Sequence, residues 1–369
     1  MTSERTDKFR ALMKGAGIRA ALITSHENRF YLSGFLSSAG ALLITENSLL
    51  LFTDSRYTIQ AKQQAPLFSV TTCSHDMYAL IGAQLAKEKI KSVWFEDEAL
   101  SVAEFSAIKK QIKTDFVPMG NVLYKMRALK YRYEAEKIAE AARLADAAFS
   151  HVLSFIKKGV SENEVAAQLE GFMRRHGATK PSFDTICASG LRSAMPHGTA
   201  TDKVIEKGDF VTMDFGCVLD GYCSDITRTV VVGRASARQK EIYNTVLYAQ
   251  EKAVQAVMPN MEGRALDAVA RDVITQFGYG ENFGHSLGHG VGIEVHEKPN
   301  VSPSTPDIMV PGSVITIEPG IYVEGFGGVR IEDMVYVTED GYRVLTSSPK
   351  NRHKYAPQRA SLHHKLFLP

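Results

Sequence analysis

Four carboxylates occupy strand-like segments, where an isolated acid is costly. Asp214 interrupts one apolar segment, Glu318 directly follows a second, and Glu332 alternates with apolar neighbours in a third. Asp225 follows a Gly-Tyr turn beyond Asp214, so a hairpin would bring these two carboxylates together. Burying a carboxylate is unfavourable unless a positive charge neutralises it. One such acid is typical of a helix cap or a salt bridge, but four of them favour a shared cationic partner.

A cluster of histidines lies between the two pairs of acids. The segment GHSLGHGVGIEVHE contains His285, His289 and His296, three of the 11 histidines in the chain. Its glycines allow the backbone to approach other groups closely, as crowded sites require. Four carboxylates with one imidazole form an oxygen-rich ligand set that suits a pair of manganese, cobalt, iron or zinc ions. Two such ions about 3.5–4 Å apart would hold a hydroxide nucleophile and polarise a carbonyl group.

These segments together resemble the motifs of the pita-bread metallopeptidases, a family that includes aminopeptidase P, prolidase and methionine aminopeptidase. The resemblance is carried, in order, by VTMDFGCVLDGYCSDITRT, GHSLGHGVGIEVHE, VITIEPGIYV and GGVRIEDMVYV. It covers roughly residues 125–348, and the preceding part looks like the N-terminal domain of aminopeptidase P and prolidase. The implied fold class is an α/β N-terminal domain followed by an α+β pita-bread catalytic domain.

The resemblance also implies roles for individual residues. The implied metal ligands are Asp214, Asp225, His289, Glu318 and Glu332. His296 would hydrogen-bond the scissile carbonyl or the developing oxyanion, and His197 would contact the substrate backbone. Glu318 would also carry the nucleophile's proton to the leaving nitrogen. Arg330, on the same strand face as Glu332, would orient that ligand.

Further residues are candidates for contacting the substrate. By the same resemblance, His285 would help to form the wall of a proline pocket. Phe183 and Ile186 would line the pocket for the first substrate residue, with ordinary core positions as the alternative. Lys298 and Asn300 follow His296 in a polar loop and are candidates for gripping a substrate terminus.

The function implied by the resemblance is that of a dinuclear Xaa-Pro aminopeptidase. Such an enzyme hydrolyses the Xaa-Pro bond at peptide N-termini with a metal-bridging hydroxide as the nucleophile. We expect two divalent ions as cofactors, with manganese as the first choice and cobalt, zinc or iron as alternatives. Two other functions stay open, namely a Xaa-Pro dipeptidase (prolidase) and a non-catalytic pita-bread binding module. The expected substrate is a proline-containing peptide, and the expected assembly is a homodimer.

Hydrophobic periodicity predicts the elements that position these residues. In the front part, the apolar segments 20–24, 41–45, 48–52 and 92–96 predict strands that are interleaved with helices. In the back part, capping boxes predict the starts of two amphipathic helices. These boxes pair Ser161 with Glu164 and Ser236 with Gln239. The expected domains are an N-terminal domain over 1–127, a catalytic domain over 128–348 and a basic C-terminal tail over 349–369.

Length and composition exclude several classes of protein. A chain of 369 residues predicts about two domains. Its 43 basic and 41 acidic residues give a formal net charge of +2, which argues against a nucleic-acid partner. The four cysteines are too few for a disulfide framework, and Cys217 and Cys223 are expected to be small buried residues rather than metal ligands. Because no signal peptide or membrane span is recognisable, we expect a cytoplasmic protein without a membrane partner.

Overall fold

The computed structural model describes residues 2–350, which fall into two compact units divided between Arg127 and Ala128. Of the tail expected over 349–369, residues 351–369 lie outside the described residues. Within the described range, no helix combines the length and the apolar character that a membrane crossing requires.

The first unit contains a six-stranded mixed sheet. Its strands are β1 (Ala20–Ile23), β2 (Ala41–Thr45), β3 (Leu49–Asp54), β4 (Ser69–Cys73), β5 (Ser92–Phe95) and β6 (Asp115–Pro118). Its helices are α1 (Thr2–Gly15), α2 (His26–Ser33), α3 (Thr58–Gln64), α4 (Met77–Lys87), α5 (Val102–Gln111) and α6 (Val122–Ala128), the last of which crosses the division. The strand order is β4-β3-β2-β1-β5-β6, with β2 antiparallel to both of its neighbours and the other pairs parallel. The four strands predicted in this part are therefore present, with ends that differ by at most two residues.

The second unit carries four long helices and a larger set of short strands. The helices are α7 (Arg132–Phe155), α8 (Glu162–Arg175), α9 (Ala237–Ala256) and α10 (Gly263–Gln276). The strands up to α10 are β7 (Lys180–Pro181), β8 (Ile186–Ser189), β9 (Phe210–Phe215), β10 (Cys217–Leu219), β11 (Tyr222–Cys223), β12 (Ile226–Val231) and β13 (Met261–Glu262). The later strands are β14 (Gly288–Gly290), β15 (Glu297–Val301), β16 (Ile308–Met309), β17 (Val314–Ile317), β18 (Gly320–Val323), β19 (Gly327–Arg330), β20 (Asp333–Val337) and β21 (Tyr342–Val344). The two predicted capping boxes are confirmed at the starts of α8 and α9.

Two helix pairs cover two sheets in this unit. One hydrophobic cluster joins α7 and α8 to the sheet β12-β9-β8, with Phe149 and Val211 among its buried residues. A second cluster joins α9 and α10 to the sheet β15-β14-β17-β20-β21, with Leu266 and Ile315 among its buried residues. The helices therefore cover one face of each sheet, and the opposite face is left for polar strand residues.

Glu332 was expected to alternate with apolar neighbours inside one strand-like segment, but the structure divides this segment into two strands. β19 pairs with β18, whereas β20 pairs with β17, and Ile331 and Glu332 lie between the two strands. The backbone N–H of Glu332 instead donates to the carbonyl oxygen of Thr227 on β12, at 3.2 Å. The break therefore places Glu332 beside the strand that follows Asp225.

Candidate metal centre

Strand pairing brings the four carboxylates to one place. β9 and β12 are antiparallel with Asp214 opposite Thr227, so Asp225 lies just before the returning strand, as the predicted hairpin requires. β17 and β20 are antiparallel with Ile317 opposite the residue that follows Glu332. Glu318 and Glu332 therefore extend from the same end of that pair.

Three of these carboxylates form a compact, largely buried group. The ligand oxygens of Asp214, Asp225 and Glu332 all lie within 4.8 Å of one another. Burial, reinforced by the neighbouring carboxylates, raises the pKa of Asp225 and of Glu332 well above the ordinary values. Burial also raises the pKa of Asp214, although Arg330 opposes this effect. A cation bound among the three groups would relieve both the desolvation and the repulsion.

His289 directs one ring nitrogen at the carboxylates. Its Nδ1 lies 3.1 Å from the carbonyl oxygen of Gly290, which can only accept a hydrogen, so Nδ1 is the donor. Nε2 then faces Oε1 of Glu318 at 3.2 Å and Oδ2 of Asp225 at 3.6 Å. Burial lowers the pKa of His289, but the hydrogen bond and charge of Glu318, the carbonyl of Gly290 and the charge of Asp214 together outweigh burial and raise that pKa. Burial acts in the opposite sense on Glu318, but His289, His285 and Arg330 together outweigh it and lower the pKa of Glu318 to about 2. Either a proton on Nε2 or a metal cation satisfies this arrangement.

The available carboxylate oxygens fit a metal. Oδ1 of Asp214 and Oε1 of Glu332 are buried without a hydrogen-bond partner anywhere in residues 2–350. Their companion oxygens are occupied, because Arg330 Nη2 donates to Asp214 Oδ2 at 2.6 Å and Thr227 Oγ1 donates to Glu332 Oε2 at 2.8 Å. Each carboxylate is thus held by one oxygen and keeps the other for a ligand. Carboxylate oxygens with one imidazole are a donor set that divalent first-row ions accept.

Arg330 contacts a different predicted ligand from the one expected. It ends β19, whereas Glu332 lies in the break that follows, so the two do not share a strand face. Its guanidinium contacts Asp214 directly and reaches Glu332 only through Thr227, because Nε donates to Thr227 Oγ1 at 3.0 Å. That Arg330 supports the ligand set stays a prediction, and the predicted ligand that it contacts directly is Asp214.

Tyr322 is a site residue that the sequence did not single out. Its hydroxyl accepts from Arg330 Nη1 at 2.7 Å and lies 3.0 Å from His285 Nε2. Because His285 Nδ1 faces the carbonyl oxygen of Ser286 at 2.8 Å, Nδ1 is the donor and Nε2 accepts from the tyrosine. Burial lowers the pKa of His285 and raises that of Tyr322 to about 12, so both groups stay neutral near pH 7. A tyrosine in an apolar strand gives no sequence signal that separates it from a core aromatic.

The centre opens into a cavity of about 570 Å³. The predicted residues that line it are Phe183, Ile186, His197, Asp214, Asp225, His285, His289, His296, Asn300, Glu318 and Arg330. Residues in the lining that were not predicted include Asp184, Pro196, Thr199, Ser286 and Ser302. The ring of His296 lies 4.3 Å from that of His289, centroid to centroid, and burial together with this neighbour lowers the pKa of His296. The cavity therefore joins the carboxylates to three further histidines.

The position of Lys298 does not support the prediction that it binds a substrate terminus. Its ammonium lies 3.0 Å from Asp307 Oδ2, and its side chain is not part of the cavity lining. Both Lys298 and Asn300 lie on β15 rather than in the expected loop. Asp307 also accepts from the backbone N–H of Asn300 at 2.9 Å, which holds this strand with Lys298 turned toward the acid. Asn300 and Ser302, further along the same segment, line the cavity instead.

Two family models match the chain. The model of metallopeptidase family M24 matches residues 136–339, and the model of the creatinase/prolidase N-terminal domain matches residues 5–129. The first match contains all of the residues that form the carboxylate and histidine centre. The second covers the unit with the six-stranded sheet.

Relatives of known sequence and structure agree with these matches. A Xaa-Pro dipeptidase of Pyrococcus horikoshii is 42% identical over 350 residues, which cover 94% of this chain and 98% of that protein. The solved structure of the Xaa-Pro dipeptidase from Bacillus anthracis is 46% identical with a TM-score of 0.92, and the match covers 95% of this chain and 99% of that one. The X-Pro aminopeptidase of Thermotoga maritima is 42% identical with a TM-score of 0.87, covering 91% of this chain and 97% of that one. The predicted fold class, an N-terminal α/β domain before a pita-bread domain, is confirmed.

Proposed function

Because the chain belongs to metallopeptidase family M24, we propose that it is a dinuclear Xaa-Pro dipeptidase. The observation that carries this proposal is the convergence of Asp214, Asp225, Glu318 and His289 on one cavity. Glu332 lies within 4.8 Å of the two aspartates, and two carboxylate oxygens of this group are left without partners in the described chain. The sequence favoured an aminopeptidase and kept the dipeptidase as an alternative. The comparisons favour that alternative, since the relatives from P. horikoshii and B. anthracis are both Xaa-Pro dipeptidases.

The ligand set would hold two divalent ions, with manganese as the first candidate. The proposed ligands are Asp214, Asp225, His289, Glu318 and Glu332. Ions bound there would polarise the scissile carbonyl and lower the pKa of a water molecule. Arg330 and Thr227 would keep two of the carboxylates in the orientation that ligation needs, because each fixes one carboxylate oxygen.

The remaining residues of the cavity would act on the peptide. His296 would donate an N–H to the carbonyl oxygen as negative charge develops there. His197 would hold the substrate backbone, and Glu318 would pass a proton to the leaving nitrogen. The leaving nitrogen is that of proline, which carries no N–H in the Xaa-Pro bond, so the proline ring can be held by packing alone. His285, Phe183 and Ile186 are the proposed packing surfaces.

Substrate length and two variants test the proposal. The manganese-loaded protein should hydrolyse Ala-Pro faster than Ala-Pro-Ala, as expected of a relative of the Xaa-Pro dipeptidases from P. horikoshii and B. anthracis. Glu318→Gln and His289→Ala should each abolish turnover while the protein stays folded. Glu324→Gln, a change at an exposed glutamate close to Glu318 in the chain, is the matched control and should retain activity. Turnover in either site variant, or the absence of dipeptide hydrolysis in the wild type, would contradict the proposal.

An Xaa-Pro aminopeptidase is the second candidate. The T. maritima relative is named as one, and a cavity of about 570 Å³ has room for a peptide longer than a dipeptide. Faster hydrolysis of the tripeptide would favour this candidate. The homodimer and the choice of manganese stay predictions, and light scattering and metal analysis of the purified protein check them.

A further inference from the structure

Glu162, the first residue of α8, has a fully buried carboxylate that accepts hydrogen bonds from both ends of the segment 189–201. At one end, Ser189 donates through its backbone N–H at 2.7 Å and through Oγ at 2.9 Å. At the other end, Thr201 donates through its backbone N–H at 3.1 Å and through Oγ1 at 2.7 Å. This carboxylate does not line the cavity, and the proposed reaction gives it no role. It closes the segment into a loop.

Arg192, in a short 3-10 turn near the start of this loop, also pairs with the same carboxylate. Its Nε lies 3.0 Å from Glu162 Oε2, and its Nη2 donates to the carbonyl oxygen of Thr199 at 2.6 Å. The glutamate side chain is fully buried and the arginine side chain is 25% exposed, so solvent screens this ion pair only from one side. The carboxylate of Glu162 therefore holds both ends of the loop by hydrogen bonds and holds Arg192 within the loop by an ion pair.

The same loop carries part of the cavity wall. Pro196, His197 and Thr199 line the cavity. The carbonyl oxygen of Pro196 accepts from Arg330 Nη1 at 3.0 Å, which links the loop to the residue that holds Asp214. The side chain of His197 is exposed, so its place in the cavity depends on the backbone of the loop.

We propose that Glu162 is a positioning residue for His197. By accepting from both loop ends and from Arg192, its carboxylate sets the place of the imidazole relative to the substrate. A glutamine would keep the shape but would turn an amide N–H₂ toward some of the five donors, so the loop would have to shift. A displacement of about 1 Å can cost about 100-fold in rate. The inference rests on the proposed role of His197 in holding the substrate backbone.

A double-mutant cycle in the manganese-loaded, full-length protein tests this inference. Glu162→Gln should lower kcat/KM for Ala-Pro by about 10- to 100-fold, mainly through a higher KM, with the bound manganese unchanged. In the His197→Ala background, the same change should alter kcat/KM by less than about twofold, because the positioned group is gone. Glu164→Gln, on the same helix with an exposed carboxylate, is the control and should behave as wild type.

The outcomes separate this inference from the function on which it rests. An equal loss from Glu162→Gln in both backgrounds would mean that Glu162 acts only on the overall structure, and the inference would fall. Wild-type kinetics in His197→Ala would remove the role of His197 and this inference with it, while dipeptide hydrolysis itself would still support the proposed function. If Glu162→Gln does not fold, Arg192→Gln replaces it in the cycle. It removes the tie across the loop interior, and the same background dependence is expected with a smaller loss.

Discussion

Arg330 Nη2 lies 2.6 Å from Oδ2 of Asp214, and the other oxygen of that carboxylate is buried without a partner in the part of the chain that the structure describes. The arginine therefore fixes the orientation of the carboxylate and leaves Oδ1 for a cation. Burial opposes the charge of Arg330, but Tyr322, Asp214 and Glu318 outweigh burial and keep the pKa of the guanidinium well above its ordinary value. A permanently charged, planar group is suited to this task.

Arg330→Lys should reduce activity although the charge is kept. The guanidinium donates to Asp214, Thr227, Tyr322 and the carbonyl oxygen of Pro196. A single ammonium cannot donate to all four acceptors in the same planar geometry. We expect kcat/KM to fall by about 10- to 100-fold and the affinity for manganese to weaken. Steady-state kinetics and calorimetric metal titration measure the two effects.

Arg343→Lys is the control for this change. Arg343 pairs with Glu136 at 2.9 Å on the surface, where both side chains are 45% exposed, and its replacement should leave activity unchanged. Wild-type kcat/KM in Arg330→Lys would contradict this prediction, because it would show that a positive charge beside Asp214 is sufficient for activity without the hydrogen bonds of the guanidinium.

Removal of divalent metal should lower the melting temperature. Asp214, Asp225 and Glu332 bring largely buried carboxylates within 4.8 Å of one another, and a bound cation relieves their repulsion. Metal at 100 times its dissociation constant stabilises the folded state by about 2.7 kcal/mol, which corresponds to a rise of several degrees for a domain of this size. Differential scanning calorimetry with excess chelator, and then with manganese restored, measures the shift.

A matched pair of variants assigns this shift to the site. Asp225→Asn should abolish the manganese-dependent rise, because it removes a proposed ligand. Asp220→Asn changes an acid in the exposed turn of the same hairpin and should keep the rise. Equal melting temperatures of the wild type with chelator and with manganese would contradict the metal centre.

The candidate carboxylate ligands could be recognised from the sequence because they are acids within or beside apolar strand-like segments. A carboxylate in an apolar strand contradicts the alternation around it, and the turn between Asp214 and Asp225 predicts the hairpin that the structure contains. The capping boxes likewise depend on residues three positions apart, which local sequence displays in full. Local pattern was therefore sufficient for the four predicted strands of the first unit, for the starts of α8 and α9 and for the choice of candidate acids.

The contacts between the candidate residues could not be predicted in the same way. The bond from Arg330 to Asp214 joins residues 116 positions apart and depends on how the hairpin β18–β19 lies against β12. Tyr322 gives no sequence signal, and the pairing of Lys298 with Asp307 depends on the path of the loop between them. Spacing along the chain carries no information about such packing, so these partners had to come from the structure.

All four cysteines should be unreactive in the folded protein. Each is buried, and burial raises the thiol pKa of Cys187 and Cys223 far above the ordinary value, so the reactive thiolate is not formed at pH 8 or 9. Cys217 and Cys223 also donate to carbonyl oxygens, at 3.7 and 3.3 Å, and both are buried, as was expected. Ellman's reagent should label no thiol in the native protein at either pH and all four in guanidinium. Rapid labelling of a native thiol, or loss of activity with iodoacetamide, would contradict this prediction.

Gly288→Ala should damage the metal centre through β14, the strand that carries His289. A methyl group at this position would overlap the carbonyl oxygen of Thr316 and approach Thr316 Oγ1 to 2.8 Å. That hydroxyl accepts from the backbone N–H of His289 and donates to Glu318 Oε1, both at 3.0 Å, so moving it disturbs two proposed ligands. We expect a loss of about 1–3 kcal/mol in the free energy of unfolding, together with weaker manganese binding.

Gly284→Ala tests whether this effect comes from the close approach of the backbone. Gly284 lies in the same glycine-rich segment, but a methyl group there would have no atom within 4 Å beyond its chain neighbours, and the backbone does not need a left-handed conformation. Urea unfolding and calorimetric manganese titration should therefore give wild-type values for this control. If Gly288→Ala also bound manganese with wild-type affinity, the packing of β14 against β17 would not be what holds His289 in place. Since only the Gly288 methyl meets backbone, a difference between the two alanines would measure what that packing contributes to the site.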